Sequence, residues 1–164
     1  FSKGLGAPVG SALSGPRDLI ERAHRHRKLF GGGMRQAGVI AAGALYALEN
    51  HVDRLAEDHA KAQRLAEGIR EIDGLELRPP QVDTNLVIYR VDPKLGTAAD
   101  FAARLKRRGL LISAFGGQLM RAVTHLDLSM KDVERAVEIL QEVSLDRSTT
   151  SGDAAPAPYA AVKS

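Results

Sequence analysis

Apolar residues recur every three to four positions in the first part of the chain, a spacing that predicts helices. In the first such segment Leu19, Ile20 and Ala23 fall on one side. Pro16 suits the opening turn, because the first residue of a helix needs no N–H. The predicted helices in this part cover residues 16–30, 34–50 and 53–72. A short strand is predicted before them, at residues 8–14.

After residue 74 the pattern changes to short strands and helices. Apolar runs bounded by glycine or proline predict the strands, and Ser129 is placed to cap the last helix through its hydroxyl. The predicted strands cover residues 75–78, 85–91, 110–114 and 118–123, and the predicted helices cover residues 97–108 and 130–145. The order strand, strand, helix, strand, strand, helix is typical of a small α+β layer.

Composition limits the kinds of protein that this chain can be. Of its 164 residues 44% are hydrophobic, which is enough for a packed core. Its 23 basic and 20 acidic residues are spread along the chain and leave a net charge of +3, so we expect no nucleic-acid partner. No apolar run could span a bilayer, and the lack of cysteine fits a reducing compartment. We expect a globular cytoplasmic protein without a membrane partner.

Lys3 is the first candidate for chemistry. A lysine that condenses with an aldehyde cofactor must lose its proton and move, so it needs a partly desolvated pocket and small neighbouring residues. Gly4 and Gly6 provide that room. An ordinary polar turn has the same composition, and short glycine-rich strings are weak evidence by themselves. Lys3 is therefore a candidate covalent anchor for a cofactor, with a plain turn as the alternative.

A run of three glycines at residues 31–33 is the second candidate. It leads into the predicted helix at residues 34–50, whose first N–H groups could bind an anion such as a phosphate. Arg35 adds a forked positive charge next to this turn. A flexible connection between two helices explains the same residues equally well, so both interpretations stay open.

Arg121 is the third candidate, because it lies within a predicted strand among apolar residues. An arginine in such a place calls for a carboxylate or a phosphate partner. The alternative is an edge-strand arginine that points into water. His125 follows closely and is predicted to be a structural histidine with a hydrogen bond near the strand end. No histidines and carboxylates have the spacing of a metal site, so no metal is expected.

Two segments resemble the low-specificity L-threonine aldolases, which belong to the β-eliminating lyase group of fold-type I pyridoxal phosphate (PLP) enzymes. One is residues 1–11 (Phe-Ser-Lys-Gly-Leu-Gly-Ala-Pro-Val-Gly-Ser), and the other is residues 27–38 (Arg-Lys-Leu-Phe-Gly-Gly-Gly-Met-Arg-Gln-Ala-Gly). Residues 121–125 also resemble the family segment Arg-x-Val-Thr-His. The resemblance covers about residues 2–145.

The resemblance implies a role for four residues. Lys3 would be the lysine that holds PLP, Arg35 and Lys28 would contact the cofactor phosphate or the active site, and Arg121 would hold the substrate α-carboxylate. It further implies an α/β fold, with residues 1–51 as the end of the large PLP-binding domain and residues 52–147 as the small α+β C-terminal domain. Residues 148–164, rich in Ser, Thr, Gly, Pro and Ala, are predicted to be a disordered tail.

The implied activity is PLP-dependent cleavage of L-threonine or L-allo-threonine to glycine and an aldehyde, in threonine catabolism and glycine formation. The implied assembly is a homodimer or homotetramer with shared active sites. The chain would be a C-terminal portion that begins just before the PLP lysine, with little activity alone. A serine hydroxymethyltransferase-like or β-eliminating lyase is the alternative within the class. A non-catalytic module for anion binding or oligomerisation is the alternative outside it.

Overall fold

The computed structural model describes residues 1–146 of the chain. Its helices are α1 (Arg17–Leu29), α2 (Gly38–Asn50), α3 (Leu55–Arg70), α4 (Ala98–Arg107) and α5 (Met130–Leu145). Its strands are β1 (Leu75–Leu77), β2 (Leu86–Val91), β3 (Ser113–Ala114) and β4 (Leu119–Val123). They form two compact units, Phe1–Leu55 and a second that begins at Ala56. The tail predicted at residues 148–164 lies outside the described residues, and the predicted domain limits stay a prediction.

The first unit contains a short 3₁₀ turn (Lys3–Leu5), an irregular segment and helices α1 and α2. The strand predicted at residues 8–14 is wrong: that backbone is irregular, since no other segment among residues 1–55 forms a strand to pair with it. Helix α2 packs its small residues against the irregular segment. A Cβ at Gly43 would lie 3.1 Å from Pro8 Cδ, and Ala47 is buried. Small side chains on α2 therefore let the chain around the lysine turn approach the helix closely.

The second unit is an antiparallel sheet covered by helices. Its strand order is β1-β2-β4-β3, with antiparallel pairing throughout. Side chains of α3, α4 and α5 join the inner face of the sheet in one core, in which Tyr89, Phe101 and Leu140 are fully buried. Burial raises the pKa of the Tyr89 hydroxyl. The other face of β2 and β4 is not covered by these helices, and Arg121 lies on it.

The third strand is shorter than predicted. We expected it at residues 110–114, but only Ser113–Ala114 pairs with β4. The reason lies at the end of α4, where Gly109 has a φ of 86° and its N–H donates to the Lys106 carbonyl. The Leu110 N–H donates to the Leu105 carbonyl, which completes a Schellman motif. The Leu110 N–H is therefore used to end α4, and its side chain packs on the core, so Leu110 does not extend the strand.

Metal clusters and membrane spans are not found in the part of the chain that the structure describes. Across residues 1–146, no group of three or more histidine, aspartate or glutamate side chains could hold a metal ion. No helix in that range is both long and apolar enough to cross a membrane.

Candidate functional site

Lys3 lies in a strained turn. It has a φ of 70°, in the left-handed region, whereas residues with a side chain disfavour that region by about 1–2 kcal/mol. The turn is closed by two backbone hydrogen bonds, from Gly6 N–H to the Lys3 carbonyl (2.8 Å) and from Ala7 N–H to the Phe1 carbonyl (3.0 Å). Lys3 is exposed, so the residues that the structure describes do not form the partly desolvated pocket expected for it. Strain of this kind persists only where the surroundings hold it, and it is frequent at functional sites.

The glycines of the turn have separate physical roles. Gly4 packs closely on Leu55, because a Cβ there would lie 2.9 Å from Leu55 Cδ2 and that side-chain end would have to shift. Gly6 is needed for conformation, because its φ of 71° is left-handed and ends the 3₁₀ turn. The sequence predicted room around Lys3, and the structure shows that close packing and a left-handed turn are what require the glycines.

His51 was missed by the sequence analysis, which gave it no role. It lies at the C-terminal end of α2 and is half-buried. Its Nδ1 lies 2.6 Å from the Leu5 carbonyl oxygen, at the end of the lysine turn. The Tyr46 ring meets it edge-on, with ring centroids 5.5 Å apart. Only the fold brings together residues 46 positions apart, so a local sequence pattern gives no sign of this contact.

The three glycines end helix α1 and do not begin α2. Gly31 has a φ of 83°, its N–H donates to the Lys28 carbonyl (3.1 Å), and the Gly32 N–H donates to the Arg27 carbonyl (2.7 Å). These two bonds make a Schellman motif. The Gly33 N–H donates to the Gly31 carbonyl (3.0 Å). The predicted helix start at residue 34 is therefore wrong, because α2 begins at Gly38. The N–H groups of the three glycines are used within the turn and are not available to an anion.

The cationic side chains predicted near this turn are present and exposed. Lys28 lies in the last turn of α1, and its Nζ would be 3.5 Å from a Cβ placed on Gly33, so its side chain lies over the glycines. Arg35 follows in the turn before α2. Among residues 1–146, neither cation forms an ion pair with a carboxylate. These side chains can therefore attract an anion to this segment.

Arg121 lies at the centre of β4, paired with Ile88 of β2 and Ser113 of β3. It is exposed, so the expectation of an arginine enclosed by apolar residues is wrong. The alternative is right that Arg121 faces water and wrong about the edge strand, because β4 lies between β2 and β3. Strand alternation explains the difference: its neighbours Met120 and Ala122 point into the core, and Arg121 points away from it.

One aromatic ring limits where the Arg121 guanidinium lies. Its Cζ is 5.2 Å from the centroid of the Phe115 ring, a cation–π contact. In the described part of the chain no carboxylate pairs with it. An exposed guanidinium steadied by a ring, with its fork unpaired, is suited to bind a carboxylate from outside the chain.

A buried polar network supports the end of β4 directly after Arg121. The Thr124 hydroxyl donates to the Asp58 carbonyl (2.6 Å), and Lys61 Nζ donates to Asp58 Oδ1 (3.1 Å). Asp58, Lys61 and Thr124 are all buried. His125 Nδ1 lies 3.3 Å from the Asp127 N–H, which agrees with the predicted structural role. Asp58 and Lys61 were not predicted from the sequence, although their spacing of three on a helix could have indicated a pair.

The candidate residues divide between the two units. Lys3, Lys28 and Arg35 belong to the first unit, together with His51, and Arg121 belongs to the second. The first group combines a primary amine with two unpaired cations, and the second presents a forked cation. The residues of the first unit suit an aldehyde and a phosphate, and the guanidinium of the second suits a carboxylate.

Comparison with known proteins gives the family. The family model described as beta-eliminating lyase matches residues 1–92. The low-specificity L-threonine aldolase of Escherichia coli (strain K12) is 48% identical over 133 residues, which cover 81% of this chain and 38% of that protein. Low-specificity L-threonine aldolase 1 of Arabidopsis thaliana is 38% identical over 146 residues, 88% of this chain and 41% of that protein. The chain thus spans about two fifths of the length of these relatives.

Solved structures give the same fold. An aromatic amino acid beta-eliminating lyase/threonine aldolase homologue from Exiguobacterium sp. 255-15 superposes with a TM-score of 0.66 at 21% identity, over 87% of this chain and 43% of that one. The ornithine delta-aminotransferase of Plasmodium falciparum has a TM-score of 0.53 at 19% identity, over 68% of this chain and 29% of that one. The predicted α/β fold of fold-type I PLP enzymes is confirmed. Because the family model covers more than half of the chain and includes the lysine turn, the chain belongs to the beta-eliminating lyase family, as its motifs predicted.

Proposed function

We propose that this chain contributes the cofactor lysine and the substrate-carboxylate arginine of a PLP-dependent aldolase, which cleaves L-threonine or L-allo-threonine to glycine and an aldehyde. The observation that carries the proposal is the strained turn of Lys3, with a φ of 70° and an exposed side chain in the matched family segment. The threonine aldolases of E. coli and A. thaliana support the choice of substrate.

The residues of the first unit fit PLP. Lys3 provides a primary amine that can bond to the cofactor aldehyde, and within residues 1–146 no carboxylate pairs with it. Arg35 and Lys28 would hold the phosphate through their side chains, since the glycine N–H groups are already bonded. When bound, PLP supplies the electron sink that makes cleavage of the substrate Cα–Cβ bond possible.

Arg121 would bind and orient the substrate. Its guanidinium can contact both oxygens of an α-carboxylate, and the Phe115 ring keeps it from turning freely. Two-point binding fixes the direction of the carboxylate and so limits the orientations of the bond that breaks. The Thr124–Asp58–Lys61 network holds the adjoining end of β4, which makes the position of Arg121 reproducible.

Assembly into a homo-oligomer is part of the proposal. Helix α2 exposes large apolar side chains, with Val39 at 79%, Tyr46 at 60% and Leu45 at 56% of their full accessibility. Several large apolar side chains exposed on one helix favour a contact with another polypeptide. Sedimentation equilibrium on the purified protein measures the assembly state, and a monomer at micromolar concentration would contradict it. The cytoplasmic location stays a prediction.

The proposal is tested by borohydride reduction of the natively expressed protein, followed by peptide mass mapping. We expect a single pyridoxyl group on Lys3 and a Lys3→Arg variant without it. Lys106→Arg and Lys131→Arg, at exposed lysines of the second unit, are the matched controls and should keep the label. Label scattered over surface lysines, or its absence, would reject the proposed role of Lys3.

Substrate profiling separates the aldolase from its alternatives. We expect aldehyde release from L-threonine and L-allo-threonine to exceed tetrahydrofolate-dependent serine cleavage and ammonia release by β-elimination. If either competing reaction is faster, the proposed activity changes from threonine cleavage to that reaction, within the same class of PLP enzyme. Unchanged anion binding in Lys3→Ala, with no reaction on any of these amino acids, would indicate the non-catalytic module instead.

A further inference from the structure

We propose that His51 is a positioning residue for Lys3, acting through a hydrogen bond to the backbone of the lysine turn. The inference rests on the proposed function in one respect, that Lys3 is the reactive lysine. Its structural part, that His51 maintains the strained turn, can be tested independently of any reaction.

The contact is direct and its direction is set by chemistry. His51 Nδ1 lies 2.6 Å from the Leu5 carbonyl oxygen. A carbonyl oxygen can only accept, so Nδ1 carries the proton and donates. Leu5 is the last residue of the 3₁₀ turn that begins at Lys3. A donor on this carbonyl therefore restrains the peptide units that follow Lys3.

The ring of His51 is itself held in place. Its backbone N–H donates to the Ala47 carbonyl (2.8 Å) at the end of α2. The edge-on Tyr46 ring packs against the imidazole, at an interplanar angle of 88°. The imidazole is thus anchored to a helix, and it connects that helix to the turn of Lys3.

The turn needs such a restraint because of its backbone. Lys3 at a φ of 70° would relax to a negative φ if the turn were free, and its side chain would then swing away from its present direction. Packing contributes through Gly4 against Leu55. His51 adds a directional bond, which packing cannot supply.

Two substitutions separate the hydrogen bond from the ring. In His51→Asn the side-chain amide nitrogen takes the place of Nδ1, so the donor is kept and the ring is lost. In His51→Phe the ring is kept and the donor is lost. A role in positioning requires that Asn preserves function and Phe does not, whereas packing against Tyr46 alone requires the reverse. The same two changes at His24, an exposed residue of α1, serve as controls.

The first readout is amide hydrogen exchange of the lysine turn. The Gly6 and Ala7 N–H groups close this turn, so their exchange reports its opening. We expect about 10-fold faster exchange in His51→Phe, the change that follows when a bond of roughly 1.4 kcal/mol is lost, and less than about 3-fold in His51→Asn. Peptides of α5 should be unchanged in both variants.

The second readout is kinetic. With Lys3 misplaced, we expect kcat for threonine cleavage to fall about 10-fold or more in His51→Phe, with KM changed less than about 3-fold, because substrate carboxylate binding is assigned to Arg121. His51→Asn should stay within about 3-fold of the native protein.

Equal losses in Asn and Phe, better retention by Phe, or no effect of either variant on exchange and kcat would overturn the proposal. If the native protein carries no label on Lys3, the proposed function fails, yet the exchange contrast still decides whether His51 holds the turn.

Discussion

Two residues with side chains, Lys3 and Gln36, adopt backbone conformations that such residues rarely adopt. Lys3 and Gln36 have positive φ values of 70° and 52°, and both lie in the first unit. At the end of α1, Gly31 adopts the left-handed conformation, and Gly32 lets the chain approach Arg27 closely. A charged side chain next to such a turn is placed by the turn, so a change in the backbone there is expected to act on function.

Gly32 gives a test at this scale. A Cβ at this position would lie 2.7 Å from Arg27 Cγ and 2.8 Å from the Arg27 carbonyl oxygen, and the backbone atom cannot give way cheaply. We expect Gly32→Ala to lower the free energy of unfolding by about 1–3 kcal/mol. Urea denaturation followed by circular dichroism measures it.

Gly38→Ala is the matched control for Gly32→Ala. No atom lies within 4 Å of a Cβ at Gly38, the first residue of α2, and alanine there loses less backbone entropy on folding. We expect stability unchanged or raised by up to about 1 kcal/mol. A loss as large as that of Gly32→Ala would contradict the steric explanation.

Helices α4 and α5 have clearly marked starts. Helix α4 begins with a capping box in which Thr97 and Asp100 exchange hydrogen bonds, and α5 begins with another, formed by Ser129 and Asp132. The hydroxyl of Thr97 bonds the Asp100 carboxylate and holds the pKa of that carboxyl below its ordinary value of 3.8. Ser129 lowers the pKa of Asp132 in the same way.

The capping box of α4 predicts a dependence of stability on pH. Because the pKa of Asp100 is lowered in the folded state, its carboxylate stabilises the fold above pH 3.8, and this contribution is lost as the pH falls through the lower folded value. We expect Thr97→Ala to cost about 1 kcal/mol at pH 7 and less at pH 3. Denaturation at both pH values measures the difference.

Ser11→Ala is the control, since Ser11 is exposed in the irregular segment of the first unit. It should have no effect at either pH. A deficit of Thr97→Ala that grew on acidification would show that the bond to Asp100 is not its cause.

On the scale of the whole molecule, the assigned chemistry draws on both units. The first unit carries Lys3 and the cations of the glycine turn, and the second carries Arg121 on the open face of its sheet. The two assignments can therefore fail separately: loss of Lys3 should abolish the reaction, whereas a change at Arg121 should act on substrate binding.

Arg121→Lys tests the second assignment. Lysine keeps the positive charge but not the planar fork, so two-point binding of a carboxylate is lost. We expect KM for L-threonine to rise about 10-fold or more, with label on Lys3 unchanged. Arg90→Lys, an exposed arginine of β2, is the control and should leave KM unchanged. An effect on kcat with an unaltered KM would argue against carboxylate binding by Arg121.

The sequence alone determined four of the five helices of the described residues, most of their strands and the family. Helices depend on local periodicity and caps, so α1, α3, α4 and α5 lie within two residues of their predicted limits at either end. The family followed from residues 1–11 and 27–38, because short motifs keep their residue order whatever the fold around them. Lys3, Lys28, Arg35 and Arg121 were chosen on the same grounds, and their roles stay predictions.

Tertiary structure decided how those motifs work. Arg121 faces outward because register places its neighbours in the core. His51 contacts the lysine turn because folding brings its Nδ1 to a carbonyl 46 residues away. Periodicity records which face of an element is apolar, whereas contacts between distant segments depend on how those faces are packed.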